Sequence, residues 1–303
     1  MRTLGDLPLA PREAQERGAA PPSPGDMPAL APSAAPEAPS AALAASSAAL
    51  ASRRVRVKIC GVTDPASAVA SVEMGADYLG LNFCPRSPRH LADPGLAREI
   101  AAAARAAAPG VTLVGVFVNP SAGEVAAAEA AAGGLDLVQF SGDEPPAAVR
   151  AFAARAIKAL RLAPAHAPAA PCAPSAASAA AGPVSAGAAG AAVPFADFAD
   201  CWAWLFDTPR ARAGDLYGGT GLGWDYLAVA ALPLPPHRRF FLAGGLGPGN
   251  VRQVLATLAT LAGRLPFAID VCSGVESAPG TKDPRLLRQL FEEVRNGQAP
   301  TAA

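Results

Sequence analysis

Two side chains that could move a proton stand at the ends of short apolar segments, far apart in the chain. Cys60 follows the segment 55–59, and Asp207 ends the segment 203–207. A thiolate can act as a general base and a carboxylic acid as a general acid. Each residue alone is weak evidence, because a single Cys is more often a small buried hydrophobe and a single Asp before a loop is more often a turn residue.

Three glycine segments suggest a second kind of chemistry, the binding of an anion. They are Gly218-Gly219-Thr220-Gly221, Gly244-Gly245-Leu246 and Ser273-Gly274-Val275. Glycine lets backbone N–H groups approach an anion closely, and a following helix N-terminus favours negative charge. Three such segments together favour a phosphate site over glycines that only shape tight turns.

The pattern of apolar residues and of helix start and stop signals predicts eight strand–helix alternations that would position these groups. The predicted strands are 55–59, 77–83, 111–118, 135–140, 156–162, 203–207, 239–243 and 267–271. The predicted helices are 64–74, 93–108, 121–132, 144–153, 224–231, 248–261 and 283–294, with a short helix at 195–202.

This alternation predicts an α/β fold with parallel strands, and eight units favour a closed (β/α)8 TIM barrel. An open doubly wound sheet is the competing architecture, but its glycine fingerprint would follow the first strand. Here the glycines follow the sixth, seventh and eighth strands. In a barrel, the C-terminal strand ends would bring Cys60, Asp207 and the glycine segments to one face.

Composition limits the other classes of function. The chain has 303 residues, with 25 Lys and Arg against 25 Asp and Glu, so its formal net charge is zero. This balance disfavours nucleic-acid binding, and no long apolar stretch predicts a membrane span. The five Cys form no C-x-x-C pair and the three His do not cluster. We therefore expect no metal and no disulfide framework, and a reducing, cytoplasmic location.

Two segments rich in Ala and Pro stand apart from the rest of the chain. They are residues 1–53 and 163–194, and the second contains no Asp, Glu, Lys or Arg. Such segments lack the large apolar side chains that offset the entropy of ordering a chain. We expect a disordered tail at 1–53, a catalytic barrel at 54–296 with an insert at 163–194, and a short tail at 297–303. A natural start further along the chain is the open alternative for the first segment.

Eight short motifs occur in order along the chain outside the insert. They are 57–63 (VKICGVT), 80–89 (GLNFCPRSPR), 114–119 (VGVFVN), 205–208 (LFDT), 218–221 (GGTG), 242–246 (LAGGL), 270–276 (DVCSGVE) and 279–283 (PGTKD). Together they resemble the phosphoribosylanthranilate isomerase family. The resemblance implies a barrel enzyme of tryptophan biosynthesis that rearranges N-(5-phosphoribosyl)anthranilate without a cofactor, as a monomer or homodimer.

The resemblance also implies roles for individual residues. Cys60 would be the general base, Asp207 the general acid, and Arg89 the group that holds the anthranilate carboxylate. The further substrate-binding candidates are Asp270, Gly219, Gly221, Gly244, Gly245, Ser273 and Gly274. Two departures stand out: Ser141 replaces a His that is common in the family, and the insert 163–194 follows the fifth strand. That insert is expected to be passive, with a lid over the active site as the alternative.

Strand alternation adds a prediction that does not depend on the resemblance. Lys58 points the same way as Cys60, and Asp270 points inward on the eighth strand. Because closure of the barrel places the eighth strand beside the first, Lys58 is expected near Asp270 and Cys60, where its charge would favour a thiolate. A purely structural Lys58–Asp270 ion pair is the alternative.

Other functions remain as alternatives. One is another phosphate-binding barrel, such as indole-glycerol-phosphate synthase or the aminoaldose isomerase of the histidine pathway. The Cys60 and Asp207 combination disfavours both, because the first relies on Lys and Glu and the second resembles a pair of Asp. The other is a noncatalytic barrel used as a binding platform, which the intact candidate site disfavours.

Overall fold

Eight parallel strands close into a barrel in the computed structural model, in chain order from β1 to β8. The structure describes residues 54–161, 194–207, 226, 229, 232–262 and 265–298. The strands are β1 (Arg56–Cys60), β2 (Tyr78–Asn82), β3 (Thr112–Phe117), β4 (Leu137–Phe140), β5 (Ala156–Arg161), β6 (Ala203–Asp207), β7 (Phe240–Leu242) and β8 (Ala268–Val271). The predicted (β/α)8 barrel is confirmed.

Several predictions fall outside the described residues. They concern the tail 1–53, the insert except Pro194, the glycine segment with Gly219 and Gly221, most of the helix 224–231 and the last five residues.

Six helices are described, and three of them begin at the predicted cap residues Asp64, Asp93 and Ser121. The six helices are α1 (Pro65–Glu73), α2 (Pro94–Ala107), α3 (Ala122–Ala132), α4 (Pro146–Arg150), α5 (Val251–Ala262) and α6 (Pro284–Gln298). The Asp64 side chain accepts a hydrogen bond from the Ser67 amide at 2.7 Å, and Ser121 and Glu124 form a capping box. Such caps satisfy amide groups that the first helical turn leaves without partners.

Four predicted helices have wrong bounds, and one of them is the helix 248–261, which begins only at Val251. The helix 144–153 shrinks to α4, because Glu144 is buried in an ion pair with Lys158 and the two following prolines delay the start. The short helix 195–202 is a 3-10 turn at Ala196–Phe198. The last helix continues past residue 294 to Gln298.

Side chains alternate between two cores along each strand. On β1, Val57 and Ile59 join the apolar layer between barrel and helices. Within the barrel, Val114, Ile157 and Leu205 pack together, and Phe241 meets Tyr78 with ring centroids 5.4 Å apart. Tyr78 begins β2, so aromatic rings fill the N-terminal end of the barrel and the opposite end remains for a site.

A short antiparallel hairpin, absent from the predicted elements, follows β8. It consists of β9 (Glu276–Ala278) and β10 (Thr281–Lys282), preceded by a 3-10 turn at Ser273–Val275. The hairpin places two charged side chains, Glu276 and Lys282, near the C-terminal end of β1. In the described part of the chain, no helix is long and apolar enough to cross a membrane.

Candidate active site

A cleft at the C-terminal strand ends gathers most of the candidate residues. Its lining includes Cys60, Arg89, Asp207, Asp270, Gly244, Gly245 and Ser273. Gly274 packs directly beneath this lining, against the Leu246 carbonyl. Asn82, Ser87, Gln139 and Cys272 also line the cleft and are not among the predicted site residues. Asn82 and Gln139 are strand residues that face inward, so period-two alternation could have found them.

Lys58 lies where strand alternation placed it. Its side chain is fully buried, and its Nζ donates to Asp270 Oδ1 at 2.9 Å across the β1–β8 seam. Burial opposes the charged form of Lys58, but Asp270 and Cys60 outweigh it and raise the pKa of the ammonium. The predicted grouping of Lys58, Asp270 and Cys60 is confirmed.

Cys60 is buried among groups that favour its thiolate. A hydrogen bond with Cys272 is the largest influence, and with the positive charges of Lys58 and Lys282 it outweighs burial and Asp270. Together they lower the pKa of Cys60 from 9.0 to about 7. Gly80 on β2 makes room for this thiol, because a Cβ there would lie 2.8 Å from Cys60 Sγ.

Arg89 is held from behind by Glu276 of the hairpin. Arg89 Nε donates to Glu276 Oε1 at 2.8 Å, and Nη2 donates to Oε2 at 2.6 Å. This bidentate pair raises the pKa of Arg89 still further. Burial opposes the charged form of Glu276, but bonds from Arg89 and Lys282 lower the pKa of its carboxyl. One edge of the Arg89 fork is therefore engaged within the chain.

Lys282 joins the hairpin to the ends of β1 and β8. Its buried Nζ donates to Glu276 Oε1 at 2.6 Å, to the Cys60 carbonyl at 2.6 Å and to the Cys272 carbonyl at 3.2 Å. Burial and these three acceptors fix the ammonium rigidly. The hairpin thereby positions both the candidate base and Arg89.

The loops after β7 and β8 form the candidate phosphate site. Gly244 and Gly245 have φ values of 88° and 68°, a backbone conformation that residues with a side chain rarely adopt. The Asn250 side chain accepts from the Gly247 amide at 3.0 Å and donates to the Gly245 carbonyl at 2.9 Å. A Cβ on Gly274 would lie 2.1 Å from the Leu246 carbonyl oxygen. Backbone therefore packs on backbone where the two loops meet.

Asp207 ends β6 and faces the same cleft as Cys60. Its register neighbour on β5 is Arg161, whose Nη1 lies 3.6 Å from Asp143 Oδ1. Ser141 also lines the cleft, and its hydroxyl accepts from Gln139 Nε2 at 3.0 Å. The cleft thus contains a candidate base, a candidate acid and a guanidinium on separate strands or loops.

Comparison with known proteins agrees with this geometry. The family model described as N-(5'phosphoribosyl)anthranilate (PRA) isomerase matches residues 57–173 and 185–293. The N-(5'-phosphoribosyl)anthranilate isomerase of Myxococcus xanthus is 40% identical over 245 residues, which are 80% of this chain and 97% of that protein.

Solved structures give the same result. The phosphoribosyl anthranilate isomerase of Thermus thermophilus has a TM-score of 0.58 at 32% identity, covering 80% of this chain and 98% of its own. A phosphoribosyl anthranilate isomerase in complex with reduced 1-(o-carboxyphenylamino)-1-deoxyribulose 5-phosphate has a TM-score of 0.54 at 28% identity, with the same coverage. The chain therefore belongs to the N-(5'-phosphoribosyl)anthranilate isomerase family.

Proposed function

We propose that this chain converts N-(5'-phosphoribosyl)anthranilate to 1-(2-carboxyphenylamino)-1-deoxyribulose 5-phosphate in tryptophan biosynthesis. The reaction is an intramolecular aldose–ketose isomerisation, an Amadori rearrangement. The observation that carries the proposal is a single cleft that combines a buried thiol of lowered pKa with an Asp from a distant strand and two glycine loops. The family membership gives the substrate.

Asp207 is the proposed general acid. Its proton passes to the ribose ring oxygen, the bond from that oxygen to C1′ breaks, and the anilino nitrogen supplies the electron pair that forms an iminium ion. The iminium makes the proton on C2′ acidic. A carboxylic acid at the end of β6, on the cleft, is suited to this step because it can donate along the cleft to a bound sugar.

Cys60 is the proposed general base. Its thiolate removes the C2′ proton, and the electrons of that C–H bond neutralise the iminium to give an enolamine. Tautomerisation of the enolamine yields the ketone, so one C–H bond is lost at C2′ and one is gained at C1′ with no external oxidant. With a pKa of about 7, Cys60 is substantially ionised at neutral pH.

Binding is assigned to the two ends of the cleft. Backbone N–H groups around Gly244, Gly245, Ser273 and Gly274 are assigned to the phosphate, and Gly219 and Gly221, which follow β6 in the sequence, are assigned the same role. Asp270 is assigned to the sugar hydroxyls. Arg89 holds the anthranilate carboxylate through Nη1 and the second N–H of Nη2, because Glu276 occupies the other edge of the fork.

The test is turnover of N-(5'-phosphoribosyl)anthranilate, followed by the loss of its fluorescence. Wild type should be active, while Cys60→Ala and Asp207→Asn should each lose about 10²- to 10⁴-fold in kcat. Cys201→Ala and Asp197→Asn are the matched controls, since Cys201 is a buried thiol before β6 and Asp197 an exposed carboxylate. An inactive wild type, or a fully active Cys60→Ala, would overturn the proposal.

A further inference from the structure

A second cysteine lies against the candidate base. Cys272 follows β8 and lines the cleft with Cys60, and Lys282 Nζ donates to the carbonyls of both residues, at 2.6 Å to Cys60 and at 3.2 Å to Cys272. Its Sγ is also close enough to β1 that a Cβ on Gly61 would lie 3.1 Å from it. The roles assigned above make no use of this thiol.

We propose that Cys272 is a positioning residue, whose thiol donates a hydrogen bond to the Cys60 sulfur and holds Cys60 as a thiolate aimed at the substrate. This inference rests on the proposed role of Cys60 as general base. A hydrogen bond from a neutral donor to a charged acceptor is stronger than one between two neutral groups. The shared contact therefore stabilises the pair most when one sulfur is ionised.

The charges around the two thiols favour one negative charge between them. Lys58 and Asp270 face Cys60 and form a neutral pair at 2.9 Å. Two further cations, Lys282 and Arg89, act on both thiols and share the single carboxylate of Glu276. This buried cluster therefore carries one more positive than negative charge when both thiols are protonated, and one thiolate balances it.

The same surroundings decide which thiol ionises. Lys58 lies beside Cys60, so the charge on Cys60 is stabilised directly. The Cys272 thiol donates a long hydrogen bond of 4.0 Å to Glu276 Oε1, which requires its proton, and this carboxylate opposes a negative charge on Cys272. The bond to Cys60 and burial outweigh the positive charges of Lys282 and Arg89 and raise the pKa of the Cys272 thiol well above its ordinary value. The proton therefore stays on Cys272, which acts as the donor.

The experiment compares Cys272→Ala with Cys272→Ser, because the two variants differ only in a hydroxyl donor. Under reducing conditions, the rate of Cys60 alkylation by iodoacetamide is followed against pH, with the modified peptide identified by mass spectrometry. Cys272→Ala should shift the midpoint upward and slow alkylation at pH 7 about tenfold, while rates converge at high pH. Cys272→Ser should restore most of the shift. Cys201→Ala serves as the control for loss of a buried thiol.

The pH profile of kcat/KM gives the second readout. Its acid limb should move with the alkylation midpoint in Cys272→Ala, while a purely structural loss would lower activity equally at every pH. Unchanged midpoints in Cys272→Ala, with Cys60→Ala inactive, would overturn this inference and leave the proposed function intact. A fully active Cys60→Ala would instead overturn the proposed function as assigned to Cys60. If Cys272→Ala were inactive in the same assay, Cys272 would be the general base and Cys60 the positioning residue.

Discussion

Individual charges around Cys60 shift the pKa of its thiol in opposite directions. Lys58 favours the thiolate and Asp270 opposes it, although the two form one ion pair. A purely structural pair would leave the ionisation of Cys60 unaffected when either member changes. The balance between Lys58 and Asp270 is therefore open to direct measurement.

Replacing each member of this pair should move the Cys60 midpoint in opposite directions. Lys58→Met is expected to raise the alkylation midpoint by about one pH unit, since an adjacent positive charge is removed. Asp270→Asn is expected to lower it. The acid limb of kcat/KM should shift in the same sense, because the base works only when deprotonated and activity rises with pH through its pKa.

Lys58→Met also leaves Asp270 buried and unpaired, which costs about 3–5 kcal/mol of stability. The double variant Lys58→Met/Asp270→Asn avoids this and controls for misfolding. Its midpoint should still lie above that of wild type, because Lys58 influences Cys60 more than Asp270 does. Identical midpoints in wild type and all three variants would show that the pair is structural only.

At the scale of secondary-structure elements, the two phosphate-site loops support each other through backbone contact. Gly274 packs on the carbonyl oxygen of Leu246, so the loop after β8 fixes the loop after β7. No side-chain rearrangement could relieve an added methyl group at this contact. The geometry of the site therefore depends on the absence of a Cβ at Gly274, where the two loops meet.

Gly274→Ala should weaken phosphate binding more than it changes chemistry. The new Cβ would push the two loops apart, and we expect KM to rise about tenfold, which corresponds to ~1.4 kcal/mol, with a smaller change in kcat. Inhibition by inorganic phosphate should weaken to the same extent. Gly249→Ala is the control, because a Cβ there meets nothing within 4 Å. Equal KM values for Gly274→Ala and Gly249→Ala would show that the contact at Gly274 does not hold the two loops in the geometry that binds phosphate.

Sequence patterns predicted the barrel elements well where the alternation was long and apolar. The place of Lys58 followed from two rules, side-chain alternation and closure of β8 onto β1, although its partner Asp270 is 212 residues away. The hairpin was missed because β9 and β10 have only three and two residues and lack apolar alternation. Consequently, the engagement of Arg89 by Glu276 was not foreseen, and neither was the buried Lys282.

Helix 144–153 was overextended for a different physical reason. The prediction began this helix at Glu144, but the Oε1 atom of Glu144 accepts from the Asn119 and Gly142 amides, each at 2.8 Å. Its Oε2 accepts from Lys158 at 2.6 Å. Such a tertiary network overrides local helix preference, and no local pattern encodes it.

At the scale of the whole molecule, the described residues contain the closed sheet, six helices and the two thiols with their charged neighbours. β5 and β6 pair directly in the barrel, with Ala159 opposite Leu205. The stretch between them includes the Ala- and Pro-rich residues 163–193, which bring no charged side chain. Adjacent parallel strands need a connection of only about a dozen residues, so most of this stretch is not needed for closure.

Shortening the chain should therefore leave catalysis unchanged. We expect a variant that lacks residues 1–53 and replaces 163–193 with a short Gly/Ser linker to keep kcat/KM within about twofold of the full chain, the range typical of changes away from the core and the site. Variants with either single deletion assign any difference to one segment. A loss of about tenfold or more confined to the internal deletion would instead support a lid over the active site.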